Sequence, residues 1–155
     1  MSRARAWTWR SLAMVFALAC AQAHAGDAAT LRVSATVLGV CKIASVDDIR
    51  FGDLDPSRPV DVEAGGAVRL LCTRGVDYRL TIDNGEGYDA AAGRRRMRGG
   101  GAFLPYALSA DAFSGIGTGF RTPIELPLVA TIRGDDYRDL PAEDYGDVVR
   151  VVLEP

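Results

Sequence analysis

Apolar and polar residues alternate near the start of the chain. Leu31, Val33, Ala35 and Val37 face one way if the backbone is extended, and Thr30, Arg32, Ser34 and Thr36 face the other. A period of two held over four repeats, with β-branched residues in it, predicts a strand with one side to bury. Residues 41–45 continue as a short strand that Asp47 and Asp48 break, and residues 49–52 form another short extended piece, stopped by Pro56 and Pro59. The alternation returns from Ala67 in Val68, Leu70 and Cys72, and again in Tyr78, Leu80 and Ile82 before the turn Asp83-Asn84-Gly85. A loop rich in Gly and Arg is expected over 86–101. A strand over 103–109 carries Pro105, which places it at an edge or bulge. Residues 111–121 are a Gly-rich loop, 124–133 a strand that contains Pro127, and 134–146 an acidic loop. Val149, Val151 and Leu153 alternate in the final strand.

No window past the first 25 residues has the 3.6-residue period of an amphipathic helix. Many short strands separated by Gly, Pro and Asp turns predict an all-β antiparallel sandwich. The pattern leaves one strand in excess at the front and none after Leu153. A sandwich one strand short would expose an apolar groove with unpaired edges, a hazard unless another strand fills it.

The first 25 residues have a different character. Arg3, Arg5 and Arg10 precede the apolar run 11–21, and Ala23-His24-Ala25 gives an A-x-A cleavage site, the pattern of a secretory signal peptide. The run is too short to span a bilayer. Export changes the composition. Three of the 18 basic residues leave, so 15 face 20 acidic ones and the mature charge is −5. That balance gives no electrostatic case for nucleic acid. Cys41 and Cys72 stay, and an even pair in an exported chain is expected as a disulfide. For a loop of that length the chain-entropy estimate is about 3–4 kcal/mol.

The inventory for catalysis is thin. His24 is the only histidine and leaves with the signal, so Ser-His-Asp and Cys-His arrangements and His-containing metal sites are unavailable to the mature chain. No carboxylate pair stands out for glycoside hydrolysis, and no enzyme activity or cofactor is expected. The acidic pairs at 47–48, 53–55 and 135–136 lack the spacing of a calcium loop and fit turns; no metal site is expected. Gly115, Gly117 and Gly119 have no helix after them and fit a loop better than a dinucleotide fingerprint. Arg94, Arg95, Arg96 and Arg98 form a candidate polyanion-binding loop; the plainer expectation is a solvated loop paired with the carboxylates of 135–136 and 143–144.

The runs VSATVLGVCKI, FGDLDP, VRLLCTRGVDYRLTIDNG, RRRMRGGGAFLPYALSADA and LPAEDYGDVVRVVLEP together resemble the spore coat protein U domain family. That family is similar to the pilin subunits of archaic chaperone–usher systems. The resemblance implies an incomplete immunoglobulin-like sandwich completed by a donated strand. Residues 1–25 would then be the signal, 26–40 a donor-strand extension and 41–155 the pilin-like domain. Leu31, Val33, Ala35 and Val37 would be the donor residues, Cys41 and Cys72 the disulfide, and Val149, Val151 and Leu153 part of the acceptor groove. The implied partners are a periplasmic pilus chaperone, an outer-membrane usher and neighbouring pilin subunits, with export through the periplasm to a surface fimbrium that serves adhesion or biofilm formation. The chain departs from the family in ending on Glu154-Pro155 rather than an aromatic. The alternative from a different class is a self-contained secreted glycan-binding module or coat protein.

Overall fold

The structure is a computed structural model that describes residues 26–155; the expected signal segment, 1–25, lies outside the described residues. The chain divides after Ala35, and the unit that follows spans Thr36–Pro155. Residues 26–40 carry neither strand nor helix, and Leu31, Val33 and Val37 are exposed. The alternation over 30–37 is therefore not expressed as a strand in the single chain.

The elements are β1 (Cys41–Val46), β2 (Val62–Cys72), β3 (Asp77–Ile82), β4 (Arg95–Arg98), β5 (Phe103–Leu108), β6 (Ala112–Ile116), β7 (Ile124–Ile132), the single turn α1 (Gly134–Tyr137) and β8 (Val151–Glu154). They form two antiparallel sheets, one ordered β1-β2-β7-β5-β4 and the other β6-β3-β8. The core lies where their alternating inward residues meet. Val68, Leu70 and Cys72 of β2 and Leu126 and Leu128 of β7 face Tyr78, Leu80 and Ile82 of β3, all buried. Each large side chain so buried contributes roughly 1.5–3 kcal/mol. A smaller cluster of Leu104, Ile132 and Tyr137 closes one end. There the Tyr137 hydroxyl accepts from Val60 N at 2.9 Å and donates to Val60 O at 3.0 Å.

The all-β expectation holds, and several local expectations need correction. Residues 49–52 form no strand; instead Ile49 crosses Gly66, where an added Cβ would lie 2.8 Å from Ile49 Cγ1 and 2.9 Å from Asp47 O. β2 starts at Val62, before the alternation becomes apolar. The expected loops over 86–101 and 111–121 contain β4 and β6. Gly115 in β6 leaves room for Tyr78, whose hydroxyl a Cβ would approach to 2.7 Å and whose ring to 3.0 Å. The acidic loop holds α1.

Both strand prolines have a positional explanation. Ala67 O accepts from Asp47 N on its β1 side at 2.9 Å, and in an antiparallel strand a residue's N–H and C=O point the same way. Pro127, opposite Ala67, therefore turns its ring nitrogen away from β2, and β5 pairs with β7 only at Thr131 and Ala130. No ladder bond is lost. Pro105 pairs with Arg96 of β4 on one side and lies before the residues of β5 that pair with β7, which fits the edge-like setting expected for it.

Candidate functional site

β1 and β8 are terminal strands of their respective sheets. Among the described residues β1 pairs only with β2, and β8 only with β3. They come within reach of one another on the same side of the sandwich without sharing a ladder. Inward residues elsewhere are sealed, with Leu70 and Leu80 at 0% exposure. On this side Cys41 and Ile43 of β1, with Val149, Val151 and Leu153 at β8, pack against the core yet remain half-buried. The sandwich thus has one side with apolar side chains partly covered and strand edges unpaired on both lips. The same side continues past the strands. Ile49, Phe51 and Leu54 after β1, and Leu140 and Tyr145 before β8, border a cavity of about 940 Å³ floored by Leu104 and Ile132.

The β8 lip is fixed from behind by a succession of polar contacts. Gly146 exchanges backbone hydrogen bonds with Arg98 at 2.8 and 3.1 Å. The Asp147 carboxylate accepts from Gly87 N at 2.9 Å, Val148 N at 3.0 Å and the Tyr106 hydroxyl at 2.7 Å. Glu86 N donates to Val148 O at 3.2 Å. Asp83 Oδ1 accepts from Arg150 N at 2.8 Å and from Gly85 N at 2.9 Å. The Arg150 amide is the main reason that the Asp83 carboxyl lies below the ordinary carboxylate range, with the Gly85 amide and the Arg150 and Arg95 charges adding to it. Burial, then the Asp147 contact, pushes the Tyr106 hydroxyl well above its usual value, so it remains a donor at any physiological pH.

The β1 lip is fixed by the Cys41–Cys72 disulfide, which joins directly paired residues of β1 and β2. Just before it, Thr73 Oγ1 accepts from Val40 N at 3.1 Å and donates to Leu38 O at 3.1 Å, while Thr73 N donates to Val40 O at 2.8 Å. Residues 38–40 are therefore held even though they form no strand.

The structure brings Val149, Val151 and Leu153 together with Ile43, a residue the sequence reading did not single out. Asp83 and Asp147 were missed as well. Asp83 sits in a stretch expected to be a turn, and the signal for Asp147 was its place in the Tyr145-x-Asp147-x-Val149-x-Val151 spacing.

The arginine run does not act as one patch. β4 turns Arg95 and Met97 to one face and Arg96 and Arg98 to the other. Arg96 stacks over Phe103 at 4.2 Å and pairs with Asp89 at 2.9 Å, and Arg98 lies 5.7 Å from the same ring. Arg95 donates to Asp111 at 2.7 Å and to Asp83 O at 2.8 Å. Arg94 reaches Asp136 at 3.4 Å, the one expected partner that is realised. The acidic pairs are largely engaged too: Asp47 with Arg69 at 2.9 Å and Asp135 with Arg138 at 2.7 Å.

Fold and site together define a small disulfide-linked β-sandwich with one open side. The Spore Coat Protein U domain matches residues 27–152, and the chain belongs to that family. No curated protein matches it. Among solved structures it is similar to the CsuC–CsuE chaperone–tip adhesion subunit pre-assembly complex from the archaic chaperone–usher Csu pili of Acinetobacter baumannii. That match has 21% identity and a TM-score of 0.48, and covers 77% of this chain and 40% of that one.

Proposed function

We propose that the chain is an exported structural subunit of a chaperone–usher surface pilus, polymerised by donor-strand exchange and serving adhesion or biofilm formation. The observation that carries this reading is the open side between β1 and β8, with half-buried Ile43, Val151 and Leu153 between two unpaired edges. Membership in the Spore Coat Protein U domain family supports it, since that family resembles archaic pilins.

The 26–40 extension of a neighbouring copy would supply a strand to that side, with Leu31, Val33, Ala35 and Val37 turned inward against Val149, Val151 and Leu153, while its residues 38–40 stay bonded to their own Thr73. Burying the three larger donor side chains yields roughly 1.5–3 kcal/mol each, while ordering the backbone costs about 1–2 kcal/mol per residue. Apolar burial alone does not hold the strand. The ladder to β1 on one edge and β8 on the other, at about 0.5–1.5 kcal/mol per bond, tips the balance, which is why a site with two free edges matters more than an apolar patch. At ~3.3 Å per residue the donor run is also longer than the span from Val149 to Leu153, so one end extends over the neighbouring cavity. Donor and acceptor are different surfaces, so the contact is head to tail and propagates as a filament. Before assembly, a periplasmic chaperone would cover the same edge with a strand of its own, and exchange would occur at the outer-membrane usher.

The test is deletion of residues 26–38. The shortened protein should still accept a donor peptide or chaperone, yet form none of the SDS-resistant ladders that collapse on boiling. If it remains a compact monomer with the stability and assembly behaviour of the full chain, the reading fails.

A further inference from the structure

On the side of the larger sheet away from β1, a second cavity of about 480 Å³ opens among the β3–β4 loop, β5 and the end of β7. Its size suits a small ligand, and its lining is polar. Arg94, Arg95 and Arg133 all reach it, against two carboxylates, Asp111 and Asp136. Arg95 is the built part: its side chain is 10% exposed and fixed by Asp111 and Asp83 O. Arg94 holds Asp136 only at 3.4 Å. Arg133 has no ion-pair partner among the described residues. The cavity is thus short of one negative charge, in a protein that is acidic overall.

The remaining polar groups narrow the chemistry. Tyr88 and Asn84 line the cavity, and the Tyr88 hydroxyl and Asn84 side-chain amide have no hydrogen-bond partner within the described residues. They offer neutral donors and acceptors to hydroxyl groups, and Asp111 and Asp136 can accept from hydroxyls. Those same carboxylates disfavour a phosphate monoester, which carries close to two charges. We infer that this cavity binds a monocarboxylated sugar, a hexuronate unit, with Arg133 and Arg94 on the carboxylate and Tyr88 and Asn84 on ring hydroxyls. A nucleic acid fits less well, because its backbone needs a continuous basic track and Arg96 and Arg98 face away from the cavity. The assignment is independent of pilus assembly, since the cavity does not involve the β1–β8 side.

Titration of the full mature chain with tetragalacturonate, its fully methyl-esterified counterpart and a short single-stranded oligonucleotide tests this. The free acid should bind, and the neutral ester should bind about tenfold more weakly or worse, as expected for loss of a charge-assisted bond. Arg133→Gln should weaken the acid about tenfold, while Arg98→Gln, outside the cavity, should leave it unchanged. The Arg133 side chain makes no hydrogen bond or ion pair among the described residues, and its carbonyl, which accepts from Asp136 N at 3.0 Å, is kept in the variant, so the structure is retained. The assignment is overturned by no binding of the acid at millimolar concentration, by equal binding of the ester, by unchanged affinity in Arg133→Gln, or by an oligonucleotide that binds as tightly as the acid.

Discussion

Replacing Asp147 with alanine removes a carboxylate that accepts from three donors and ties two segments, the loop at Gly87 and β5 at Tyr106, to the stretch leading into β8. The three donors it abandons are not equivalent. Val148 is exposed, and its amide regains water at little cost. Gly87 is buried, and a buried amide left without an acceptor costs about 1–3 kcal/mol. Tyr106 is half-buried, so its hydroxyl is partly re-solvated and adds about 1 kcal/mol. Asp147→Ala should therefore destabilise the domain by about 2–4 kcal/mol. Tyr106→Phe deletes one bond and leaves the carboxylate with its two amides, at about 1 kcal/mol. The double variant should fall short of the sum by about 1 kcal/mol, because the Tyr106 bond is counted in both single changes. Urea unfolding of the chain beginning at Gly26, followed by far-ultraviolet circular dichroism, reads these values directly. With a slope of about 2 kcal/mol/M, Asp147→Ala moves the midpoint down by about 1–2 M. Hydrogen exchange adds a local readout, since the amides of β8 should lose protection before those of β2. A change in stability below about 0.5 kcal/mol, or strict additivity in the cycle, would refute the role assigned to this carboxylate.

Three further outcomes follow from the same contacts. Asp83 has a folded-state pKa below its unfolded value, so its contribution is present above the ordinary carboxylate range and is lost as pH falls through the depressed value; Asp83→Asn should flatten that part of the stability–pH curve relative to the parent, whose other depressed carboxyls, Asp55 and Asp89, still titrate. Replacing Cys41 and Cys72 together by alanine should cost about 3–4 kcal/mol in oxidising buffer and nothing further when reductant is added, as read from denaturation midpoints. Gly66→Ala should cost about 1–3 kcal/mol in thermal unfolding, because Ile49 and the Asp47 carbonyl occupy the space its Cβ needs.

The strands that carry the core were legible because each alternates in the open. Val68-x-Leu70-x-Cys72, Tyr78-x-Leu80-x-Ile82 and Val149-x-Val151-x-Leu153 keep their period with little interruption, and the two sheets pack those residues face to face. β4 was hidden because arginine counts as polar in a pattern, while in the fold the Arg96 guanidinium lies on Phe103 and Arg95 is almost wholly covered. β6 was hidden by Gly115, whose missing side chain suggests a loop until the Tyr78 ring is seen to need that space. The short extended piece 49–52 misled in the opposite direction: its apolar residues serve a crossing over Gly66 and a cavity wall rather than a ladder. Asp83 reaches the stretch before β8 from a distant turn and Asp147 reaches out from that stretch to Gly87 and Tyr106, and a carboxylate that caps backbone amides looks the same in sequence as one that faces water. The β8 wall of the open side was readable from Val149, Val151 and Leu153. That its facing lip would be Ile43 and the disulfide depended on sheet order, which one-dimensional spacing does not encode.

The most direct measurement adds a synthetic peptide of residues 28–40 to the protein lacking residues 26–38 and follows the thermal midpoint and the stoichiometry. A vacant strand position predicts one peptide per domain. At a hundredfold excess over the dissociation constant, binding stabilises by about 2.7 kcal/mol, or roughly 8–15 °C for a domain of this size, and a peptide with Val33→Asp should have no effect. An unshifted midpoint with the native peptide, in a shortened protein already as stable as the full chain, would mean that the sandwich is complete without a borrowed strand.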